Sequence, residues 1–401
     1  MEISPNLQSF LNLGYFVEYD KGRDYFSLDG IDRGKYKNVS KPALLTEGAK
    51  VFRDSVEHNY QPGQKHIVPL SGGLDSRAIL AALLEHTEAA NISTITFGIP
   101  GAWDFEIGQM VSKKLGIKNT PFDLNKYEYR TDELMDISKR NNQQTVLFHH
   151  WPVWMMDKIS EGQVLWSGFF GDPVAGSHQP AVVTDNLDAA KQYFIKKNKY
   201  VVSVPLPKDD IAGILDSGNL VGPEKLSYEE QLDFRIRQGR YIAPHVLLEG
   251  YDFRLPFTYQ PFVDFFLSLP HHERKDQKFY KEMLMDAFPK AFSYVTKTTA
   301  GLPLNAPDKL VYLSKAVNKV MSKFTGKSKG VNFLNFNDKI REKQDLRNVI
   351  TEHINDFSKR NILDIDAVKL LNDHLSNKGN YYDILLVLTS LEIHLKTGKV
   401  L

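Results

Sequence analysis

Three observations predict a doubly wound α/β fold with a parallel sheet. First, short apolar runs at His66–Leu70, Thr94–Phe97, Thr120–Leu124 and Gln163–Ser167 alternate with helical spacing, as βαβ units do. Second, the first run ends in the polar turn Ser71-Gly72-Gly73 and continues into Ala78–Leu84, rich in good helix formers. Third, the last run repeats the device: an apolar strand, then Ser167-Gly168-Phe169-Phe170-Gly171-Asp172. In such sheets ligands bind beyond the carboxyl ends of the strands, where both turns fall.

The elements follow in order. In residues 1–55, Tyr15–Tyr19 and Asp24–Leu28 alternate polar and apolar residues around Lys21-Gly22, which predicts a hairpin and a small β cap. Ala43–His58 reads as a helix. Between the second and third strands, Ile107, Met110, Val111 and Leu115 fall at helical spacing and Gly116 can end that helix. From residue 186 to residue 300 the pattern turns mainly helical. Arg235, Arg237 and Arg240 there read either as a solvated face or as anion contacts. Pro256 and Pro261 bracket a loop that carries Asp252 and Arg254, and Val295–Leu304 is a second loop whose only charge is Lys297. Residues 306–401 are a helical extension with a basic stretch, Lys315–Lys329, and an apolar helix, Tyr382–Leu395.

Composition narrows the function. The 401-residue chain has a net charge of +1, which offers no footprint for nucleic acid or an anionic membrane. It has no cysteine, so disulfides, Cys-ligated zinc and a Cys nucleophile are excluded. No apolar run reaches membrane-spanning length, and the start Met1-Glu2-Ile3 lacks the features of a signal peptide, so a soluble cytoplasmic protein is expected.

The turn after the first strand carries the chemistry. Adjacent glycines open backbone angles that let successive N–H groups converge, and the following helix adds its free amides and the positive end of its dipole. Ser71 and Ser76 add hydroxyls, so the segment is suited to phosphate. Asp75 beside such a seat calls for a cation between carboxylate and phosphate, Mg²⁺ being the usual one. Asp172 reads equally as a second Mg²⁺ ligand or as a helix cap. The run is not a P-loop, which ends in Gly-Lys-Ser/Thr.

Ser71-Gly72-Gly73-Leu74-Asp75-Ser76 resembles the SGGxDS signature of the PP-loop ATP pyrophosphatases, of the HUP fold type. Together with Trp166–Asp172, Phe253–Phe257 with Asp264, and Lys297 with Gly301-Leu302-Pro303, it is similar in order and rough spacing to the asparagine synthetase C-terminal domain over residues 60–305. That family, which includes β-lactam synthetases and lasso-peptide cyclases, adenylates a carboxylate with Mg-ATP and lets ammonia or an amine attack the acyl-AMP. The resemblance implies that Ser71, Gly72, Gly73, Asp75 and Ser76 hold pyrophosphate, with Gly168 beside them, and that Asp75 and Asp172 hold Mg²⁺. It implies further that Leu70, Thr96, Phe97 and Gly98 line the adenosine, that Asp252 stands where a family glutamate removes the amine's proton, and that Lys297 neutralises the departing pyrophosphate. It divides the chain into a glutaminase remnant (1–55), the adenylating domain (56–305) and the extension (306–401).

The departures matter equally. Glutaminase-bearing members start with a catalytic Cys after Met, where this chain has Glu2 and no cysteine anywhere. The nucleophile is therefore free ammonia, ammonia from a partner glutaminase, or an amine on the substrate, which is itself a small molecule or a peptide brought by a delivery protein. Phe169 stands at the cyclase Tyr position and cannot move a proton, and Asp252 is one methylene shorter than the family glutamate. A nucleotide-binding module without catalysis is the competing expectation.

Overall fold

The computed structural model describes residues 3–180, 183–206, 211–215, 218, 220–325 and 328–401. Met1-Glu2, and Gly326-Lys327 within the basic stretch, lie outside the described residues.

Five parallel strands form the central sheet: β1 Lys65–Pro69, β2 Ile92–Gly98, β3 Lys118–Asp123, β4 Gln163–Trp166 and β5 Phe253–Arg254, in the order β3-β2-β1-β4-β5. Ile67 pairs with Ser93 on one side and Leu165 on the other, and Leu165 with Phe253. Four strands coincide with the apolar runs. The fifth was expected to be a loop; Leu165 N–H donates to Asp252 O at 2.9 Å and Ser167 N–H to Arg254 O at 3.0 Å, so two residues suffice to extend the ladder.

Strand alternation sends neighbouring side chains to two cores. Val68, Val164 and Trp166 face a cluster shared with Phe52, Ile79, Phe262 and Phe279, from α2 (Lys41–Asn59), α3 (Asp75–His86) and the helices Gln260–Ser268 and Lys278–Ala287. Ile67, Ile95 and Leu165 face the second cluster, built with Ile350 of the helix Gln344–Arg360 and Leu385 and Leu388 of the helix Tyr382–Lys396. The C-terminal helices thus cover one face of the sheet. Each fully buried aliphatic side chain there contributes about 1.5–3 kcal/mol.

The expected N-terminal β cap is not formed. Residues 3–59 contain α1 (Pro5–Leu13), α2 and a single bridge, Tyr15 to Thr145, but no strand. Ser4 caps α1 by accepting from Leu7 N–H at 3.2 Å, with Pro5 at its first position. The alternating aromatics find ring partners elsewhere instead of a strand partner. Tyr15 stacks on Tyr241 at 5.1 Å, and Tyr25 and Phe26 pack on Phe169 and Phe170 at 4.9 and 4.8 Å. The Val295–Leu304 loop is a short hairpin, β6 Val295–Thr296 with β7 Leu302–Pro303.

Candidate active site

In this sheet the chain runs outward from β1 through β2 to β3, then returns to place β4 on the other side of β1. The carboxyl ends of β1 and β4 flank the switch point, where an open α/β sheet leaves a crevice. The Ser71–Ser76 turn leaves β1, and the Ser167–Asp172 turn leaves β4.

The first turn is held by its own side chains. Ser71 N–H donates to Ser76 Oγ at 3.3 Å, Gly73 N–H to Ser71 Oγ at 3.2 Å, and Gly72 N–H to Asp104 Oδ1 at 3.1 Å. Neither glycine has a positive φ, contrary to the expectation of unusual backbone angles. Gly72 is required by close approach instead: a Cβ there would sit 3.0 Å from Trp103 O and 3.3 Å from Lys297 Cβ. With those three amides engaged, the N-terminal amides of α3 and the Ser71 and Ser76 hydroxyls are the groups that remain for phosphate.

The second turn brings Asp172 to Asp75. At Gly171 a Cβ would overlap the Asp75 carboxyl group, so only glycine lets the turns meet. The preceding Phe170 has φ 70°, a left-handed angle that stores about 1–3 kcal/mol of strain in a bulky residue. Burial, and then the charge of Asp172, push the Asp75 carboxyl well above the usual carboxylate range. Asp75 Oδ1 is buried without a hydrogen-bond partner. Gln277 Nε2–H donates to Asp172 Oδ1 at 2.8 Å. A desolvated carboxylate with an idle oxygen, facing a second carboxylate, fits a small divalent cation whose remaining ligands are phosphate and water. Among the described residues no group of three or more His, Cys, Asp or Glu side chains is arranged to hold a metal by itself.

Lys297 enters from the hairpin side. Its backbone N–H donates to Gly72 O at 2.9 Å, and its Nζ lies 2.5 Å from Asp104 Oδ2. Asp104, near the start of α4 (Trp103–Leu115), thus ties the turn amide to the lysine. Sequence reasoning missed this role, because an acid in the first turn of a helix is already explained by the helix dipole. Arg77, fully buried, donates to Val295 O at 3.0 Å and anchors the hairpin from beneath; burial lowers its pKa to about 10.

These groups surround a cavity of about 620 Å³ lined by Leu70, Ser71, Gly73, Asp75, Ser76, Phe97, Asp104, Gly168, Asp172 and Lys297. Pro69, Leu74 and Thr298 also line it, as do Ser177, Gln277, Asn332 and Phe333, unforeseen in the sequence. Thr96 does not reach its wall: it is buried, donating to Leu70 O at 3.1 Å. Gly98 lies under the Asn332 amide, which donates to Phe97 O at 3.0 Å and accepts from Ile99 N–H at 3.3 Å. Asp252 is on the wall of neither this cavity nor its neighbour. Its side chain is 60% exposed and forms a two-pronged pair with Arg254, which also donates to Gln61 on the loop preceding β1.

The neighbouring cavity, about 320 Å³, shares Pro69, Asp75, Gly168 and Asp172 with the first. Trp151, Phe169, Phe170 and Phe253 form its apolar walls, and His178 and Arg237 its polar ones. One compartment is therefore phosphate-like in chemistry and the other suits an organic group, and they meet at the carboxylate pair.

A parallel sheet in this order, with a serine–glycine turn and an acidic turn converging at its switch point, is a doubly wound α/β domain of the PP-loop fold. Residues 47–150, which carry β1, β2 and β3, match the family model for asparagine synthase, and the chain is asparagine synthetase-like over that stretch. No curated protein matches the chain. The family match supports the general class of ATP-dependent, amide-forming ligases. No helix among the described residues is long and apolar enough to cross a membrane.

Proposed function

We propose that the protein adenylates a substrate carboxylate with ATP, releasing pyrophosphate, and passes the acyl group from AMP to ammonia or an amine that its own chain does not generate. The observation that carries this reading is the junction of the two cavities at Asp75 and Asp172, with Lys297 tethered to the turn. Attack at the α-phosphorus builds negative charge on the departing pyrophosphate, and fixed cations must meet it. Lys297 supplies one from a backbone position locked to Gly72. Asp75 and Asp172 would hold Mg²⁺, which screens the triphosphate charge when bound. Phe97 and Leu70 line the adenosine end.

In this reading residues 56–305 carry the chemistry. The glutaminase remnant, residues 1–55, backs the Phe169–Phe170 wall through Tyr25 and Phe26, and residues 306–401 brace the sheet. The ammonia or amine comes from solution, from a partner glutaminase or from the substrate itself, and the reaction belongs in the ATP-rich cytoplasm.

ATP–pyrophosphate exchange across a panel of carboxylic acids tests the reading. Acid-dependent exchange that Asp75→Asn removes is expected; nucleotide binding with no exchange for any acid or cell extract would refute it. The second reading, a nucleotide-binding module without turnover, draws on the engagement of Asp252 by Arg254 outside the cleft. Binding of Mg-ATP without AMP release is what it requires.

A further inference from the structure

Acyl transfer to an amine leaves a proton to be removed, and the residues expected to do so are poorly placed. Phe169 has no proton-accepting atom, and Asp252 is exposed and paired with Arg254. A different acceptor stands on the organic cavity. His178 Nδ1 lies 2.8 Å from Asp233 Oδ2. Asp233 is almost fully buried, and its Oδ2 also accepts from Gln238 Nε2 at 3.2 Å. Asp233 and Gln238 belong to the π-helix Asp233–Ile242, a rare form that often marks functional positions. A carboxylate that accepts from Nδ1–H fixes the tautomer and leaves Nε2 with a free lone pair. His178 itself lines the cavity that opens on Asp75 and Asp172.

From the reading above, we propose that this cavity is the amine pocket and that His178, oriented by Asp233, is the base of the amide-forming step. The amine lone pair attacks the acyl carbon of the acyl-AMP and its N–H proton passes to His178 Nε2. The bond from acyl carbon to phosphate oxygen then breaks, and AMP leaves with that electron pair. Arg237, one helical turn from Asp233, lines the same cavity and forms no ion pair among the described residues. It suits an amine that bears an anionic group, held among Trp151, Phe169 and Phe253. The charged groups around the imidazole are Asp233 and Arg237 from the π-helix and the Asp75–Asp172 pair at the mouth.

The test separates the two half-reactions. With an acid that supports exchange, acyl transfer is measured to methylamine, to glycine and to hydroxylamine, whose weakly basic nitrogen sheds its N–H proton to water once it has attacked. His178→Gln should keep pyrophosphate exchange and hydroxamate formation within a few-fold, yet lose methylamide and glycine-amide formation by about 100-fold or more. Asp233→Asn should show the same split, less severely. Arg237→Met should raise KM for glycine and leave KM for methylamine unchanged. Equal loss of exchange and amide formation in a folded His178→Gln protein, or amide formation at the wild-type rate, would overturn the assignment while leaving the ligase reading intact. Absence of exchange in the wild type would remove that reading itself.

Discussion

Two carboxylates bear on the short helix Gly171–Ala175, Asp75 at its first residue and Glu230, through Arg274, at Val174. Behind it, Glu230 accepts from Arg274 at 2.9 Å with both side chains almost fully buried, and Arg274 also binds Val174 O at 3.2 Å. In front, Asp75 is half-buried on the cavity wall, faces another carboxylate and has one oxygen shut off from water with no partner. Both have atoms shut off from water, but only Glu230 is given a counter-charge. A fold that supplies an arginine to one acid and withholds a cation from another beside the same helix makes the second the candidate for a ligand. The pair at Glu230 fixes where the helix sits, and the pair at Asp75 is what the helix presents.

This contrast can be broken by substitution. The largest effect on stability is expected behind the helix: Glu230→Gln strands a buried guanidinium and should cost about 3–5 kcal/mol, read by urea denaturation. Exchange per folded molecule should survive. In front, Lys297→Ala should slow exchange roughly 100- to 1000-fold, about 3 kcal/mol of barrier, with little change in the denaturation midpoint. The small gain in stability in front sharpens the contrast: Asp75→Asn should abolish turnover yet raise stability by about 1 kcal/mol, because burial and Asp172 already disfavour its ionised form. A Glu230→Gln protein as stable as the wild type would erase the distinction.

Between these in size lies a pH effect. Burial pushes His66 down to about 4, and His245 and His394 to about 3, from the ordinary 6.5. Their folded-state values are depressed, so the unfolded chain binds more protons between pH 6.5 and 4. The stability these groups lend is present above pH 6.5 and is lost as pH falls through that window. Thermal midpoints measured from pH 7.5 to 4.5 should therefore decline steadily.

The sheet was legible because β1 to β4 are apolar runs ended by polar turns. The fifth strand was hidden: two residues, one of them Arg254, flanked by Asp252 and Pro256, show no apolar run. The N-terminal pattern misled because alternating aromatics satisfy a hairpin and an irregular segment equally; Tyr25 and Phe26 are drawn out by Phe169 and Phe170, far away in sequence. Asp75, Asp172 and Lys297 were singled out by local motif and order, and the fold brings them to one cavity. Asp104, Gln277 and His178 were not, since each meets its partner on another element, Lys297, Asp172 and Asp233, only through the fold.

The most direct test of the central claim is a crystal structure with Mg²⁺ and α,β-methylene-ATP, which cannot be split at the reacting bond. The terminal phosphates are expected against the amino end of α3, with Lys297 Nζ drawn from Asp104 to phosphate and a metal between Asp75 and Asp172. Nucleotide bound away from the turn after β1, or phosphates beyond the reach of Lys297, would contradict it.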